Sequence, residues 1–584
     1  MNNTIRKIFW AIFFISILIS IISADSRDIE LARRFLVIEK YEKAVDVLEP
    51  LYAQNPDDPE IRSLLVEAYT GAKMYDKLTS LLNNILLEEP NNYKLWIQLG
   101  GIYLSQNNPK HAMDAFDRAI AIAPNNSAIV VQIHSLLQQW SFIDEDIKFL
   151  RDARERFDDD NLFALQMARL YEIKGEFDEV VKEYSRYLKS HPDRFREVEN
   201  RIKVTERTEE ELQSLRKELN NLFDTQVPRW QPWSLIATVE IMLGNYSNAL
   251  DAMINAEDER ADAHKGRLMT AFVDEMIRIG QFEIAVEGAR YLIANTGANY
   301  ARTGRLYLAR ALKGAGDYTE ALVHLDTLLM ARIPPISQDA AILLAEILLE
   351  NLNNPDSAQQ VIDNFSETQK RGESLGEEGL FIKGKIFIYK KQFDKAKTFL
   401  NRALENNAQS EKLAYLLGMT YFFSGSYDTA NTALHNIVAR FPKSTMGNEA
   451  VELLLIMQTQ KDMLDDIREP LYSMFVRDTA SAVEIWQKLA EKNLASIGDF
   501  VLWKLGISQL SLGQEQAVNT FSELVDKFPE SFYAPLALEQ LAINTLNTGN
   551  TAGAIDIYTR IVNDYPDAVN IETVRKKLQE MGNL

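Results

Sequence analysis

The chain has 584 residues and no cysteine, which excludes disulfides, thiolate metal sites, a thiol nucleophile and a lipid-accepting cysteine behind an export signal. Basic residues are outnumbered 63 to 84, giving a formal net charge of −21. With no local basic patch to override it, that field repels a phosphate backbone, so nucleic acid is excluded as a partner. The six histidines, His111, His134, His191, His264, His324 and His435, are scattered without an H-E-x-x-H pair, so no zinc constellation forms locally. There is no G-x-x-x-x-G-K-[ST] phosphate loop and no G-x-S-x-G elbow. The acidic runs Asp144-Glu145-Asp146 and Asp158-Asp159-Asp160 lack the spaced ligands and glycine of a calcium loop and read as solvated turns. No catalytic, cofactor-binding or metal-binding residue is therefore assigned, and the chain reads as a non-enzyme without a small-molecule substrate or cofactor.

Long apolar runs are also scarce. The one at Ile8–Ile22 has 15 residues, follows Arg6-Lys7 and ends at Ser23-Ala24 before Asp25. It is shorter than the ~20 residues a spanning helix needs, and the order of basic, apolar and small residues is that of a secretory signal over residues 1–24, cleaved after Ala24. The alternative is an uncleaved anchor in the inner membrane carrying a periplasmic body, the one case in which the chain contacts a membrane. An exported chain of this length without cysteine fits a bacterial envelope, with the periplasm as its compartment.

What the sequence does contain is a period. Pro56, Pro90, Pro124 and Pro192 are spaced by 34, 34 and twice 34 residues. The clearest unit runs Trp96, Leu99-Gly100, Tyr103, Ala112, Phe116, Ala119 and Pro124. Leu99, Gly100 and Tyr103 share a helix face, on which Gly100 lets a partner helix approach closely, and Ala112, Phe116 and Ala119 alternate small and large on the facing helix. Pro124 ends the unit. Together these residues resemble the tetratricopeptide pattern W-x₂-L-G-x₂-Y…A-x₃-F…P.

That resemblance implies an all-α superhelical solenoid of antiparallel helix pairs, of about thirteen repeats, working through protein contacts. Weaker copies centre on Leu31 and Ala44, Leu65 and Leu82, and Met167 to Tyr187. Residues 25–192 form the expected N-terminal array. In 193–227, Leu212, Leu215, Leu219 and Leu222 recur at helical spacing and predict one charged, bridging amphipathic helix. Pro228 to Trp233 breaks helix twice and marks the main boundary. A middle array follows over 228–366, then a hinge loop at 370–376 and a repeat pair within 367–445. Residues 446–584 hold irregular helices and a final repeat pair. Phe441-Pro442-Lys443-Ser444 and Phe528-Pro529-Glu530-Ser531 resemble repeats of bacterial envelope proteins, namely the outer-membrane lipoprotein that assists β-barrel assembly and the periplasmic coordinator of cell-wall synthesis.

Tetratricopeptide domains that clamp acidic chaperone tails use lysines and asparagines on their inner helices. The matching positions here carry Ile97, Gly101, Gln132, Leu162 and Gln166, so that clamp is absent. Further on, inner-helix positions hold Phe381, Tyr389, Tyr415, Met419, Phe422, Phe423, Phe500 and Trp503, where folding alone would accept polar residues. They predict a concave apolar groove for a protein or peptide segment, with Tyr415, Phe422 and Trp503 as anchors. The expected function is an interaction scaffold or adaptor in the bacterial envelope. The alternative is a structural or regulatory subunit of an envelope enzyme or secretion complex.

Overall fold

A computed structural model describes residues 27–260, 264–368, 375–492 and 497–582. The expected signal and residues 370–374 of the hinge loop lie outside them. Helix follows helix, and no strand occurs among the described residues. The chain divides into two compact units, Met1–Ala261 and Asp262–Leu584.

The first unit begins with a helix over 27–37 and continues with Tyr41–Gln54, Pro59–Gly71, Tyr75–Glu88, Tyr93–Ser105, Pro109–Ile122, Ser127–Gln139, Ile143–Phe157, Ala164–Lys174 and Phe177–Ser190. The 34-residue period is thus a helix, a tight turn, a second helix and a loop. Its packing logic is visible in Tyr93–Ser105 and Pro109–Ile122. A Cβ on Gly100 would lie 2.2 Å from the Phe116 ring, so only glycine lets that ring in. Ala112, Phe116 and Ala119 are fully buried. Asn108 caps the second helix through the His111 amide, and Pro109 occupies its first turn.

Charge is buried where repeats meet. The Arg154 guanidinium forks onto Glu183, with one arm at 2.9 Å, and its Nε donates to the Leu162 carbonyl at 2.7 Å. Arg207 bonds Glu172 at 2.8 Å, and the Tyr184 hydroxyl donates to the same carboxylate at 2.6 Å. The acidic run at 144–146 is a helix start rather than a solvated turn. Asp146 is fully buried and meets His134 at 2.9 Å, because the latter's ring reaches across from the paired helix and supplies the one polar partner there.

Residues 193–227 form two helices, not the expected one. Phe195–Val204 ends at Thr205, and a capping box between Thr208 and Glu211 starts Glu209–Glu218, which tightens into a 3₁₀ turn over Leu219–Asp224. The four leucines are buried as their spacing requires. Pro228 to Trp233 lies inside the first unit and does not divide it. Trp230 meets Phe195 edge-on at 4.9 Å, Gln231 bonds the Pro192 carbonyl, and Arg216 pairs with Glu240 at 2.6 Å. Trp230–Met242 and Tyr246–Asp258 complete this unit.

The second unit runs through Arg267–Arg278, Phe282–Asn295, Ala298–Ala315, Tyr318–Ala331, Ile336–Glu346 with its π-helical extension Ile347–Asn351, Pro355–Thr368, Gly376–Tyr389, Phe393–Asn406, Glu411–Phe423, Tyr427–Arg440 and Thr445–Thr459. The pairing then breaks. Leu464–Phe475 packs on Thr479–Glu491 and reaches back to Glu411–Phe423, after which the pairs Gly498–Ser511 with Gln516–Lys527 and Ala534–Asn547 with Thr551–Asp564 resume. Ile571–Gly582 closes the end.

Candidate functional site: inner face and edge of the second unit

The eight predicted groove residues lie on three first helices of repeats, Gly376–Tyr389, Glu411–Phe423 and Gly498–Ser511. The structure does not gather them into one open groove. Tyr389, Met419, Phe422, Phe423 and Phe500 are buried, Phe422 at 0% exposure. Phe381, Tyr415 and Trp503 are half-buried. The correction has a packing cause: first helices of successive repeats touch one another, so positions that point away from the second helix of their own pair still have a neighbour.

Phe500 and Trp503 belong to one aromatic cluster. Trp503 stacks on Tyr533 with centroids 5.9 Å apart, Phe500 meets Trp486 edge-on at 5.7 Å, and the Tyr533 hydroxyl donates to Glu452, which also pairs with Lys504 at 2.7 Å. Burial pushes the phenols of Tyr533 and Tyr415 well up, reinforced by Glu452 for the former and Glu449 for the latter.

Tyr389 and Phe423 lie elsewhere, at the corners where first helices turn into second ones. Leu464–Phe475 runs across two such corners. Tyr427 donates to Asp465 at 2.6 Å, and Lys391 pairs with Glu469 at 3.0 Å while lying 4.7 Å from the Tyr472 ring. Phe423 contacts Tyr472 at 5.5 Å and Phe475 at 5.2 Å. The Tyr472 hydroxyl shares its proton between the carbonyls of Ile388 and Tyr389, both at 3.1 Å, and the Tyr389 hydroxyl donates to the Phe475 carbonyl at 3.3 Å. Each tyrosine thereby satisfies the helix end opposite, whose last carbonyls lack helical partners. Past the helix end, Arg477 pairs with Glu350 at 2.6 Å, and Lys385 bonds the same carboxylate. Burial pushes the Glu350 carboxyl up, but Lys385, Arg477 and Lys313 together outweigh it and hold it below the ordinary glutamate range.

Next to Glu350 the inner face is open. A cavity of about 240 Å³ lies among Ala298–Ala315, Ile336–Asn351 and Gly376–Tyr389. Asp339, Glu346, Glu350 and Glu378 line it against one cation, Arg310, and Ile342, Leu343, Ile382 and the predicted Phe381 supply its apolar wall. Glu346 is paired with Lys313 and Glu378 with Lys412. Asp339 is exposed.

Sequence reasoning missed Glu350, Asp339, Tyr472, Phe475 and Arg477. The available signal was the poor fit of 445–496 to the repeat and Pro470 inside an otherwise helical pattern. Among the described residues no three His, Asp or Glu side chains are placed to share a metal, and no helix is long and apolar enough to cross a membrane.

Family models described as tetratricopeptide repeat match residues 93–126, 377–410, 413–444, 500–531 and 536–568. The chain is 25% identical over 182 residues to the human protein O-mannosyl-transferase TMTC1, covering 30% of this chain and 20% of that protein. It is 30% identical over 110 residues to cellulose synthase operon protein C of Pseudomonas fluorescens, covering 19% and 9%. With the bovine BBSome complex member BBS4 it shares 25% identity over 157 residues, covering 26% and 30%. The chain thus spans less than a third of the length of each of these relatives. Yeast Tom70 aligns over 78% of this chain and 99% of its own at 13% identity, with a TM-score of 0.29. Five segments of this chain thus match the tetratricopeptide repeat, and the described residues around them are all-α, helix packed on successive helix.

Proposed function

We propose that this protein is a non-catalytic interaction scaffold that is exported to a bacterial periplasm and binds a segment of another protein on the inner face of its second unit. The observation that carries the binding reading is the cavity beside Phe381, where four carboxylates and one guanidinium surround an apolar wall. A segment bearing lysine or arginine next to an aliphatic or aromatic side chain complements both features. Export rests on the order Arg6-Lys7, Ile8–Ile22, Ser23-Ala24, and the bacterial envelope context is supported by the partial match to cellulose synthase operon protein C.

The test uses the tagged full chain in an envelope extract. Asp339→Lys reverses an exposed charge at the cavity, and Glu405→Lys reverses one on the second helix of a neighbouring repeat. Partner recovery should fall at least tenfold with the first and stay unchanged with the second. Equal recovery with both variants would place the binding surface elsewhere.

A further inference from the structure

Two helices of the first unit line one cavity with matching stripes. Arg169, Glu172 and Ile173 sit at i, i+3 and i+4 on Ala164–Lys174, and Glu197, Asn200, Arg201 and Val204 at i, i+3, i+4 and i+7 on Phe195–Val204. Each set therefore shares one helix face. The cavity measures about 690 Å³. Its floor is fixed by Arg207, whose side chain is 2% exposed. That guanidinium donates to Glu172 at 2.8 Å and to the carbonyls of Ile202 and Thr205 at 2.6 and 3.3 Å, while its Nε has no partner. Three of the four carboxylates lining the cavity are committed: Glu172 to Arg207 and Tyr184, Glu197 to the Tyr187 hydroxyl, and Glu211 to the Thr208 amide. The other two guanidiniums are not. Exposed Arg169 and half-buried Arg201 have no carboxylate partner among the described residues, and the exposed Glu206 is the one lining carboxylate left to oppose them. Beside them Ile173 and Val204 are 60% and 77% exposed, with Phe177 buried behind.

We propose that this cavity binds a segment of another protein carrying an aspartate or glutamate beside an aliphatic side chain. The carboxylate pairs with Arg169 and Arg201, and the aliphatic side chain covers Ile173 and Val204. The Asn200 carboxamide, with both donor and acceptor, matches a peptide group. Charge complementarity sets the sign of the ligand, and the apolar rim sets its class. A bare phosphate would use the guanidiniums and leave the rim uncovered. The net charge of −21 also opposes a densely charged anion, whereas a single carboxylate is held at contact distance, well inside a screening length of about 8 Å. This site goes beyond the binding reading for the second unit, whose cavity is lined chiefly by carboxylates. One chain thus presents two sites of opposite preference, and the segments they take are told apart by charge.

The test uses the full chain and fluorescein-labelled peptides in which two glutamates flank leucine, isoleucine or valine, read by anisotropy. The same peptides with lysine for glutamate are the control. Glutamate peptides should bind the unaltered chain, and unlabelled lysine peptides should not displace them. Arg169→Glu/Arg201→Glu should weaken binding at least tenfold. Neither arginine has an ion pair to lose, so the melting curve by circular dichroism should be unchanged. Val204→Ser, at a side chain that folding leaves exposed, should weaken binding at least threefold, and inorganic phosphate at matched ionic strength should not displace the peptide. No binding by the unaltered chain, equal binding by either variant, or displacement by phosphate would each overturn the proposal. Asp339→Lys should leave this binding unchanged, so the reading for the second unit stands or falls on its own test.

Discussion

Adjacent glycines show how finely the repeat pattern is set. At Gly100 a methyl group would lie 2.2 Å from Phe116, whereas at Gly101 the nearest atoms belong to Leu136 at 3.5 Å, an ordinary contact. Overpacking of the first kind costs about 1–3 kcal/mol, against about 1 kcal/mol gained by replacing helical glycine with alanine. Gly100→Ala should therefore lower the melting point of the first unit, and Gly101→Ala should raise it, as a thermal scan of each variant can check. Glu183 is a second sensitive point. Removing it strands the Arg154 guanidinium, which is only 6% exposed, and breaking a buried pair in this way costs about 3–5 kcal/mol. A urea titration of Glu183→Ala should show that loss in the transition of the first unit. Gly100 was legible because the pattern W-x₂-L-G-x₂-Y names it. Glu183 was not: a carboxylate on a helix reads as solvated until its neighbour in the fold is known. Asp146 was misread for the same reason.

At the scale of the element, helices were legible and their partners only sometimes. Helix pairs one period apart could be placed because each buries its face on the next in sequence. Leu464–Phe475 has the same periodicity, yet its Tyr472 serves a corner more than 80 residues earlier. Periodicity gives a face, not the surface that covers it. The eight groove residues show the same limit, since five of them are buried against their neighbours. The contact between the end of Leu464–Phe475 and Glu350 should also respond to acid. Because the folded state holds the Glu350 carboxyl below its unfolded value, this group contributes stability that is present above the ordinary glutamate value of about 4.3 and lost as pH falls through the folded one. Amides of 464–477 should lose protection below about pH 4 relative to those of 411–440. Glu350→Gln should show the loosened state already at neutral pH and no further change on acidification. Protection that stays constant in the unaltered protein would remove Glu350 from this contact.

For the whole molecule, the two units predict unfolding that is not two-state, since repeats contact chiefly their neighbours. Fragments 27–260 and 264–582 should each stay helical and melt cooperatively by circular dichroism. A cut at residue 228 should unfold the end of the first unit, because Trp230, Gln231 and Glu240 hold the segment before it. The sequence was misleading at 228 for a simple physical reason. Proline breaks helix locally, but side chains on both sides of the break can still share a core. The central claim is that the inner face of the second unit takes a segment of another protein, and a photo-reactive amino acid at position 339 in the full-length chain tests it most directly. Irradiation in the native host should give a single dominant adduct with a peptide carrying a lysine or arginine beside an apolar residue, and the same label at position 405 should give none. Adducts at 405 and none at 339 would contradict the account.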